Sequence, residues 1–423
     1  MSKKKRIVIL SHIFPPHSHV GGRRAYFFAK YLDKMGYHVI IITSNQIPKK
    51  QWKWNVDFNN FEIYRANYKK LHFLQYLCST LSKSKIPFIS RNFIRLGRLL
   101  FVQDFNCSMD ISTKLNKLSN IDLIIATGGP WYIFEEAVKL KEKIDCKLVL
   151  DYRDVWNALN KEVGIDSLNN FGSSYYGKLL EKKYLSIEKK CLKNADYIVT
   201  VSTAIKENIT SIFPNKHINV VFNGFDEEEI KYNNLNKSDK FIIFYGGQLR
   251  IEQNVKKICQ ALDIIKIKSI ITYNNIEFQF LGSLISHQKA IKDLLTYGEK
   301  IKITDFIQKD RFLELYKNAS ILLQLSYKDK KGIVSSKLIQ YIGERIPILL
   351  VSNTEDCMEK IVRETNSGFI CKTPQEIADT IIKCYEYWQK GEKIPFNPNQ
   401  KEIEKYSFEN QTKNLISFIE NDI

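Results

Sequence analysis

Short runs of β-branched and aliphatic residues alternate along this chain with stretches that have helical periodicity. This alternation is typical of βαβ units, in which parallel strands are buried on both faces by the connecting helices. The runs occur at 6–10, 38–44, 122–128, 147–152 and 196–202, and again at 241–247, 277–282, 300–306, 321–326 and 346–352. The pattern predicts an α/β fold with two doubly wound, Rossmann-like domains.

The length of the chain and a polar break in the alternation indicate where these domains divide. At 423 residues the chain is too long for one ordinary core. We predict an N-terminal Rossmann-like domain over 1–215, a linker over 216–238 and a C-terminal Rossmann-like domain over 239–398. The tail over 399–423 has helical periodicity but no strand of its own, so it either packs as an appendage or crosses back to the first domain.

The charge of the chain predicts an anionic partner. A net charge of +18 and a pI of about 9.3 suit nucleic acid, an acidic membrane surface or phosphorylated small molecules, although the lysine bias of an AT-rich genome also explains them. No nucleic-acid recognition motif accompanies the charge, so we expect no nucleic-acid partner. The eight cysteines lack metal-ligand spacing and no apolar run reaches roughly 18 residues, so we expect a cytoplasmic protein with reduced thiols.

One stretch, residues 68–101, does not fit the alternation. It contains seven Lys or Arg side chains among aromatic and aliphatic residues, and no acidic residue occurs between Glu62 and Asp104. A basic amphipathic segment of this kind lies readily on anionic lipid, which would make the protein peripheral at the inner face of the cell membrane. The alternative is a pair of ordinary helices that cover the sheet.

The segment 11–24, SHIFPPHSHVGGRR, joins the first strand-like run to a helical stretch. Gly21 and Gly22 allow a ligand to approach the backbone closely, and the first N–H groups of the following helix point outward. Arg23 and Arg24 would oppose the positive end of the helix dipole unless an anion were bound. We therefore interpret them as phosphate partners, with solvated arginines as the alternative.

A second anion-binding helix start is predicted in the other half of the chain. Ser335 or Ser336 is a plausible N-cap, and Lys337 stands in the first turn, where a cation is disfavoured without an anion. The run that ends in Gly247 is followed by Arg250, which adds another positive charge. One such helix start in each domain suggests that a phosphorylated ligand is held between them.

Absent and present motifs together narrow the chemistry. The chain has no GxGxxG after a strand, no P-loop, no HExxH, no GxSxG and no DxD. It does contain, in order, FPPHSHVGG, TGGP, LDYRDVW, NADYIVTVS, NGFD and SKLIQYIGERIPIL. Together these motifs resemble the ordered landmarks of family 4 glycosyltransferases, which have the GT-B fold of two Rossmann-like domains facing an interdomain cleft.

The resemblance implies a retaining enzyme that takes a sugar from a nucleotide sugar without a bound metal or other cofactor. The C-terminal domain would hold the nucleotide. Arg153 and Asp154 of LDYRDVW would stand near the donor sugar or the acceptor as candidate catalytic residues, although an ion pair that fixes a loop is equally compatible with them. The residues implied to contact the donor by motif position are Gly21, Gly22, Gly247, Gln248, Ile307 and Gln340.

The chain departs from the family pattern at its acidic positions. Many members carry two glutamates eight residues apart, for the sugar and ribose hydroxyls, where this chain has Gly332 and Gln340. Gln248 and Gln253 replace common phosphate-binding Arg and Lys residues. We expect a transferase that extends a glycan, carried on a polyprenyl diphosphate, from a UDP-linked sugar in capsule or O-antigen assembly. The alternative is a weak or inactive sugar-nucleotide-binding subunit.

Overall fold

The computed structural model describes most of the chain, and its two compact units are considered separately. The units comprise Met1–Phe222 with Thr412–Ile423, and Asn223–Gln411, so the chain passes from one to the other within the predicted linker 216–238. The residues described are 4–17, 20–45, 54, 56–70, 107–111, 118–153, 175–230, 238–250, 252–253, 255–283, 288–305, 315–327, 332–353 and 357–421.

The first unit is built on a parallel sheet that, within the described residues, has seven strands in the order β3-β2-β1-β6-β7-β8-β9. Its strands are β1 (Arg6–Ser11), β2 (His38–Ser44), β3 (Glu62–Ala66), β6 (Leu123–Thr127), β7 (Lys147–Tyr152), β8 (Tyr197–Thr200) and β9 (His217–Val220). Two further strands, β4 (Tyr68–Lys70) and β5 (Cys107–Met109), pair with each other antiparallel. The helices among its described residues are α1 (Val20–Lys34), α2 (Tyr132–Lys141), α3 (Tyr175–Asn194) and α4 (Thr203–Ile212).

The second unit repeats this arrangement with a six-stranded parallel sheet, again among the described residues, in the order β12-β11-β10-β13-β14-β15. Its strands are β10 (Phe241–Gly246), β11 (Ile276–Leu281), β12 (Ile301–Thr304), β13 (Ile321–Leu325), β14 (Ile348–Val351) and β15 (Gly368–Cys371). Its helices are α5 (Lys256–Lys268), α6 (Ile270–Asn275), α7 (Gln288–Leu295), α8 (Ser336–Glu344), α9 (Cys357–Thr365), α10 (Pro374–Gln389), α11 (Gln400–Glu404) and α12 (Phe408–Glu420), the last of which ends in the first unit.

The burial of the central strands explains why the sequence predicted them. Every residue of β6, β10, β11 and β13 is buried, because helices cover both faces of each sheet. Three of these strands are apolar at nearly every residue, which produces an unbroken run rather than an alternating one, whereas β11 also contains Glu277 and Gln279, which hydrogen-bond to each other. The predicted α/β fold with two doubly wound sheets is therefore confirmed.

The C-terminal residues pack on the first unit rather than on the second. Phe418 of α12 meets the ring of Tyr197 edge to face, with 5.6 Å between the ring centroids. Asn414 Nδ2 donates to the carbonyl of Val220 at 3.1 Å, and Glu420 accepts from Lys5 Nζ at 2.9 Å. The chain thus leaves the first unit, forms the second and returns.

The basic segment 68–101 lies largely outside the described residues. Only its first three residues are described, as the backbone of β4. In the part of the chain that the structure describes, no helix combines the length and the apolarity that crossing a membrane requires.

Candidate functional site

Both sheets have the same topological switch point, where the chain changes direction across the sheet. It falls between β1 and β6 in the first unit and between β10 and β13 in the second. In open parallel sheets, ligands bind outside the carboxyl ends of the strands at this point, where helices begin. The predicted site residues Gly21, Gly247 and Lys337 all follow strands that flank a switch point.

In the second unit, Gly247 makes the turn that follows β10. Its φ of +112° is strained for a residue with a side chain, so glycine is required there. Its N–H donates to the carbonyl of Leu281 at 2.6 Å, and its own carbonyl accepts from the hydroxyl of Ser283 at 2.5 Å. The preceding N–H, of Gly246, donates to the hydroxyl of Tyr341 at 2.9 Å. The backbone at the end of β10 is therefore held from three sides.

Helix α8 begins beside this turn. Ser335 is its N-cap and accepts from the N–H of Lys337 at 3.2 Å, and the first turn contains no acidic residue. The ammonium group of Lys337 lies 3.6 Å from the ring centroid of Tyr245, and a Cβ placed on Gly247 would be 3.3 Å from Lys337 Nζ. A lysine ammonium, the start of a helix and a glycine turn therefore meet at the switch point of this sheet.

The environment of Lys337 disfavours its charged form. Burial, with a smaller contribution from the nearby charge of Arg250, lowers the pKa of Lys337 from 10.5 to about 7. Burial also raises the pKa of the Tyr245 hydroxyl, so this residue stays neutral and offers the ammonium a cation–π contact but no negative charge. A phosphate group next to Lys337 would supply the missing negative charge and favour the charged form.

The two glutamines that replace common basic residues have different surroundings. Gln253 is 4% exposed; its Oε1 accepts from the N–H of Arg250 and the hydroxyl of Tyr245, both at 2.9 Å, and its Nε2 donates to the carbonyl of Leu325 at 3.2 Å. Gln253 therefore ties the loop after β10 to the end of β13. Gln248 is exposed, and its carbonyl accepts from the hydroxyl of Tyr245 at 3.1 Å.

The two motif positions that lack a carboxylate are both described. Gly332 is buried and has a φ of +79°. Gln340, three residues after Lys337 on α8, donates from Nε2 to Glu344 Oε1 at 3.0 Å. Burial raises the pKa of the Glu344 carboxyl from 4.5 to about 7. A carboxylate is thus present on this helix, one turn beyond the position where the family pattern has it. Ser336, the remaining predicted residue of this helix start, is partly exposed.

In the first unit, Arg153 and Gly21 are brought together at the start of α1. A Cβ placed on Gly21 would overlap Arg153 Nη1, and Arg153 Nη2 donates to the carbonyl of Gly129 at 3.2 Å. Gly22 is packed against the loop before the helix, where a Cβ would be 3.3 Å from the carbonyl oxygen of His17. The guanidinium of Arg153 therefore lies over the backbone of the first turn of α1.

The two arginines of α1 differ. Arg24 is 1% exposed, and its guanidinium donates to both carboxylate oxygens of Asp151 and to the carbonyls of Val221 and Phe222, each at 2.8 Å. The predicted phosphate contact of Arg24 is therefore wrong, because these four bonds and its burial keep the side chain from a ligand. The guanidinium of Arg23 lies over aromatic rings, 5.0 Å from the centroid of the Trp54 ring, and its phosphate contact stays a prediction.

The sequence analysis did not identify two side chains of the candidate site in the second unit, and two of its predicted residues lie outside the described part of the chain. Tyr245 was overlooked although it directly precedes the glycines of FYGG, and Glu344 was overlooked although it follows Gln340 at the i,i+4 spacing of a helix pair. Asp154 and Ile307 lie outside the described residues. Among the described residues, no group of three or more His, Cys, Asp or Glu side chains could hold a metal ion.

Two protein families match this chain in adjacent regions. The family described as Glycosyltransferase Family 4 matches residues 21–229, and the family described as Glycosyl transferases group 1 matches residues 226–397. The first match begins at Gly21, after β1, and includes most of α1 together with β6, and the second includes Gly247 and α8.

Individual proteins are similar at low identity. Two uncharacterized glycosyltransferases of Methanocaldococcus jannaschii are 26% identical over 253 residues and 25% identical over 404 residues. The first alignment covers 56% of this chain and 61% of the relative, and the second covers 91% and 90%. The crystal structure of Anabaena HepE with UDP and glucose is 13% identical, with a TM-score of 0.60 over 99% of this chain and 100% of that one. At this identity the likeness shows the shared fold.

Proposed function

The chain belongs to the family 4 glycosyltransferases and is a glycosyltransferase of the GT-B fold, and we propose that it transfers a sugar with retention of anomeric configuration from a nucleotide sugar to a lipid-linked glycan. The donor is expected to be UDP-linked, and the product a surface polysaccharide of the capsule or O-antigen class. The acceptor would be a glycan on a polyprenyl diphosphate.

The observation that carries the proposal is the position of Lys337. Its ammonium lies beside the Gly247 turn and at the N-terminus of α8, at the switch point of the second sheet. Backbone N–H groups at a helix start together with an ammonium form a site for phosphate oxygens. We assign the diphosphate of the donor to this position and its ribose hydroxyls to Gln340, three residues further along the same helix.

The same groups would assist the reaction. As the bond between the sugar and the nucleotide breaks, negative charge develops on the leaving diphosphate. The helix N-terminus and Lys337 would stabilise that charge, with Arg250 as a second cation near Lys337. The acceptor hydroxyl would attack from the face that the nucleotide leaves, and a phosphate oxygen would accept its proton. Arg153, held over Gly21 in the first unit, is the candidate partner for sugar or acceptor hydroxyls.

Assays with purified protein test the reaction. The protein is incubated with UDP-sugars and GDP-sugars and a lipid-linked acceptor, and the anomeric configuration of the product is determined by NMR. We expect transfer with retention from at least one donor. Tight donor binding without transfer to an authentic acceptor, and without donor hydrolysis, would favour the alternative of a binding subunit, for which Gly332 and Gln340 are the motivation.

Liposome binding tests the membrane part of the proposal. Replacement of Lys69, Lys70, Arg91, Arg95 and Arg98 by neutral residues should release the protein from anionic liposomes, because each basic residue contributes about 1 kcal/mol near such a surface. If the unmodified protein does not bind anionic liposomes, this part of the proposal fails while the transferase reaction still stands.

A further inference from the structure

We propose that Glu344 is a positioning residue for the donor nucleotide: its carboxylate orients the side-chain amide of Gln340 so that Gln340 Oε1 accepts hydrogen bonds from the ribose hydroxyls. This inference rests on the proposed function, because it assumes that Gln340 faces the ribose. Glu344 lies outside the family motif, and its interaction with Gln340 explains how a glutamine could serve at the motif position.

The polar side chains of α8 form one stripe. Leu338, Ile339, Tyr341, Ile342 and Gly343 are the buried residues of this helix. Lys337, Gln340 and Glu344 are partly exposed, at the i, i+3 and i+7 positions that share a helix face. The stripe begins at the Gly247 turn and runs along the helix by about 1.5 Å per residue. A nucleotide whose phosphates bind at Lys337 would therefore have its ribose along the same stripe.

The hydrogen bond between Gln340 and Glu344 selects one orientation of a side chain that otherwise has two. An ionised carboxylate only accepts, so the group of Gln340 that faces it must be the amide nitrogen, which donates to Glu344 Oε1 at 3.0 Å. In a planar amide, Oε1 then points to the opposite side. The ribose diol can accept hydrogen bonds and also offers two O–H donors, and an Oε1 oriented toward them accepts from those donors.

The groups around Glu344 are compatible with a carboxylate that orients the amide of Gln340. The charged groups that face it are Glu229, Glu227 and Arg345, and the ring of Tyr316 also lies near it. The charge of Arg345 lowers the pKa of Glu344, but its guanidinium hydrogen-bonds elsewhere: Nη2 donates to Glu227 Oε1 at 2.8 Å and Nη1 to the carbonyl of Gly343 at 2.6 Å. Among the described residues, Gln340 provides the hydrogen bond that the structure gives to Glu344.

The ionisation of Glu344 supports the same reading. Burial and the neighbouring carboxylates raise its pKa to about 7. Above this pH the carboxylate holds the amide nitrogen of Gln340, whereas the protonated carboxyl below it has an O–H that can donate to Gln340 Oε1 instead. The amide would then turn its nitrogen toward the ribose, and the oriented acceptor would be lost.

The test measures how strongly the protein distinguishes a nucleotide with ribose hydroxyls from one without them. Dissociation constants are measured by calorimetry at pH 8 for UDP and GDP and for their 2′,3′-dideoxy forms. We expect Glu344→Ala to weaken binding of the ribose form about fivefold to tenfold, the effect of about one hydrogen bond, and to leave the dideoxy form unchanged. Glu364→Gln, on the neighbouring helix α9, is the matched control.

Two further measurements separate orientation from a general loss of structure. The double variant Gln340→Glu with Glu344→Gln exchanges the two groups and should recover the discrimination, because a carboxylate then faces the ribose and an amide holds it. In the unmodified protein, discrimination should fall as the pH is lowered from 8 to 6, while Glu344→Gln should show little change over this range.

The outcomes distinguish this inference from the proposed function. If the unmodified protein binds neither UDP nor GDP, both fail. If it binds one of them but Glu344→Ala keeps full discrimination, or weakens both forms equally, Glu344 does not position Gln340 and only this inference is overturned. A discrimination that does not vary between pH 6 and pH 8 in the unmodified protein overturns it as well, without any substitution.

Discussion

Replacement of Lys337 by methionine should make the protein more stable at pH 7 while it weakens nucleotide binding. Lys337 has a pKa of about 7 in the folded protein, against the ordinary value of 10.5. At about 1.36 kcal/mol per pKa unit, this difference corresponds to an upper limit of about 5 kcal/mol for keeping the group charged. The side chain is partly exposed and its ammonium lies over the ring of Tyr245, so we expect a gain of about 1–3 kcal/mol from the substitution.

The lowered pKa of Lys337 also determines whether the free energy of unfolding rises or falls with pH. Between pH 7 and pH 10.5 the unfolded chain holds a proton on Lys337 that the folded protein has lost, so stability rises with pH in that window. Lys337→Met removes this contribution. Urea denaturation of the unmodified protein and of Lys337→Met at pH 7 and pH 9.5 measures the difference between their free energies of unfolding. This difference should be larger at pH 7.

Nucleotide binding should recharge Lys337. At pH 8 a group with a pKa of about 7 is about 10% protonated, so a bound diphosphate that restores its ordinary pKa requires the uptake of about 0.9 proton. Calorimetry with UDP in buffers of different ionisation enthalpy counts these protons. Lys337→Met should take up none and bind more weakly, whereas Lys360→Met, at an exposed lysine, should behave like the unmodified protein.

Two results would refute the reasoning about Lys337. One is a Lys337→Met protein that is less stable at pH 7 than the unmodified protein, because the charge would then be well accommodated without a ligand. The other is an unchanged affinity for UDP and GDP, which would remove the diphosphate from this position.

Three further predictions concern stability. Arg24→Lys should lower the free energy of unfolding by about 3–5 kcal/mol, measured by urea denaturation, because lysine cannot replace the paired contact with Asp151 and the two carbonyl contacts in a buried site. Gly21→Ala should destabilise the protein less in an Arg153→Ala background than alone, since the overlap is with that guanidinium; additive effects in the double-mutant cycle would contradict this. The raised pKa of Glu344 should make stability decline by about 1–3 kcal/mol as the pH rises from 4.5 to 7, since the folded state holds its proton longer, and Glu344→Gln should abolish that decline.

The strands at the centre of each sheet were predictable from the sequence, whereas among the edge strands of the two described sheets β12 was predicted and β3, β9 and β15 were not. β10 is buried at every residue, and its sequence FIIFYG is correspondingly apolar throughout. β3 and β15 are edge strands, partly exposed at most positions, and their sequences EIYRA and GFIC lack a long apolar run. Burial of both faces produces an apolar run that can be recognised from the sequence without knowledge of the neighbouring strands.

The candidate site divides in the same way between local and distant features. The N-cap at Ser335 and the turn at Gly247 depend on a few adjacent residues, so the sequence indicates them directly. Arg24 and Gln253 depend on partners 127 and 72 residues away. No local pattern distinguishes an arginine that meets phosphate from one that meets a buried aspartate.

The amino-acid sequence by itself determined the two doubly wound sheets and the family, because alternating apolar runs and ordered motifs are local along the chain. The tertiary structure alone decided which polar groups remain for a ligand. It buries Arg24 against Asp151, places the ammonium of Lys337 over Tyr245 and joins Gln340 to Glu344. The physical reason is that the availability of a charge depends on burial and on every partner within a few ångströms, and folding brings most of those partners from distant parts of the chain.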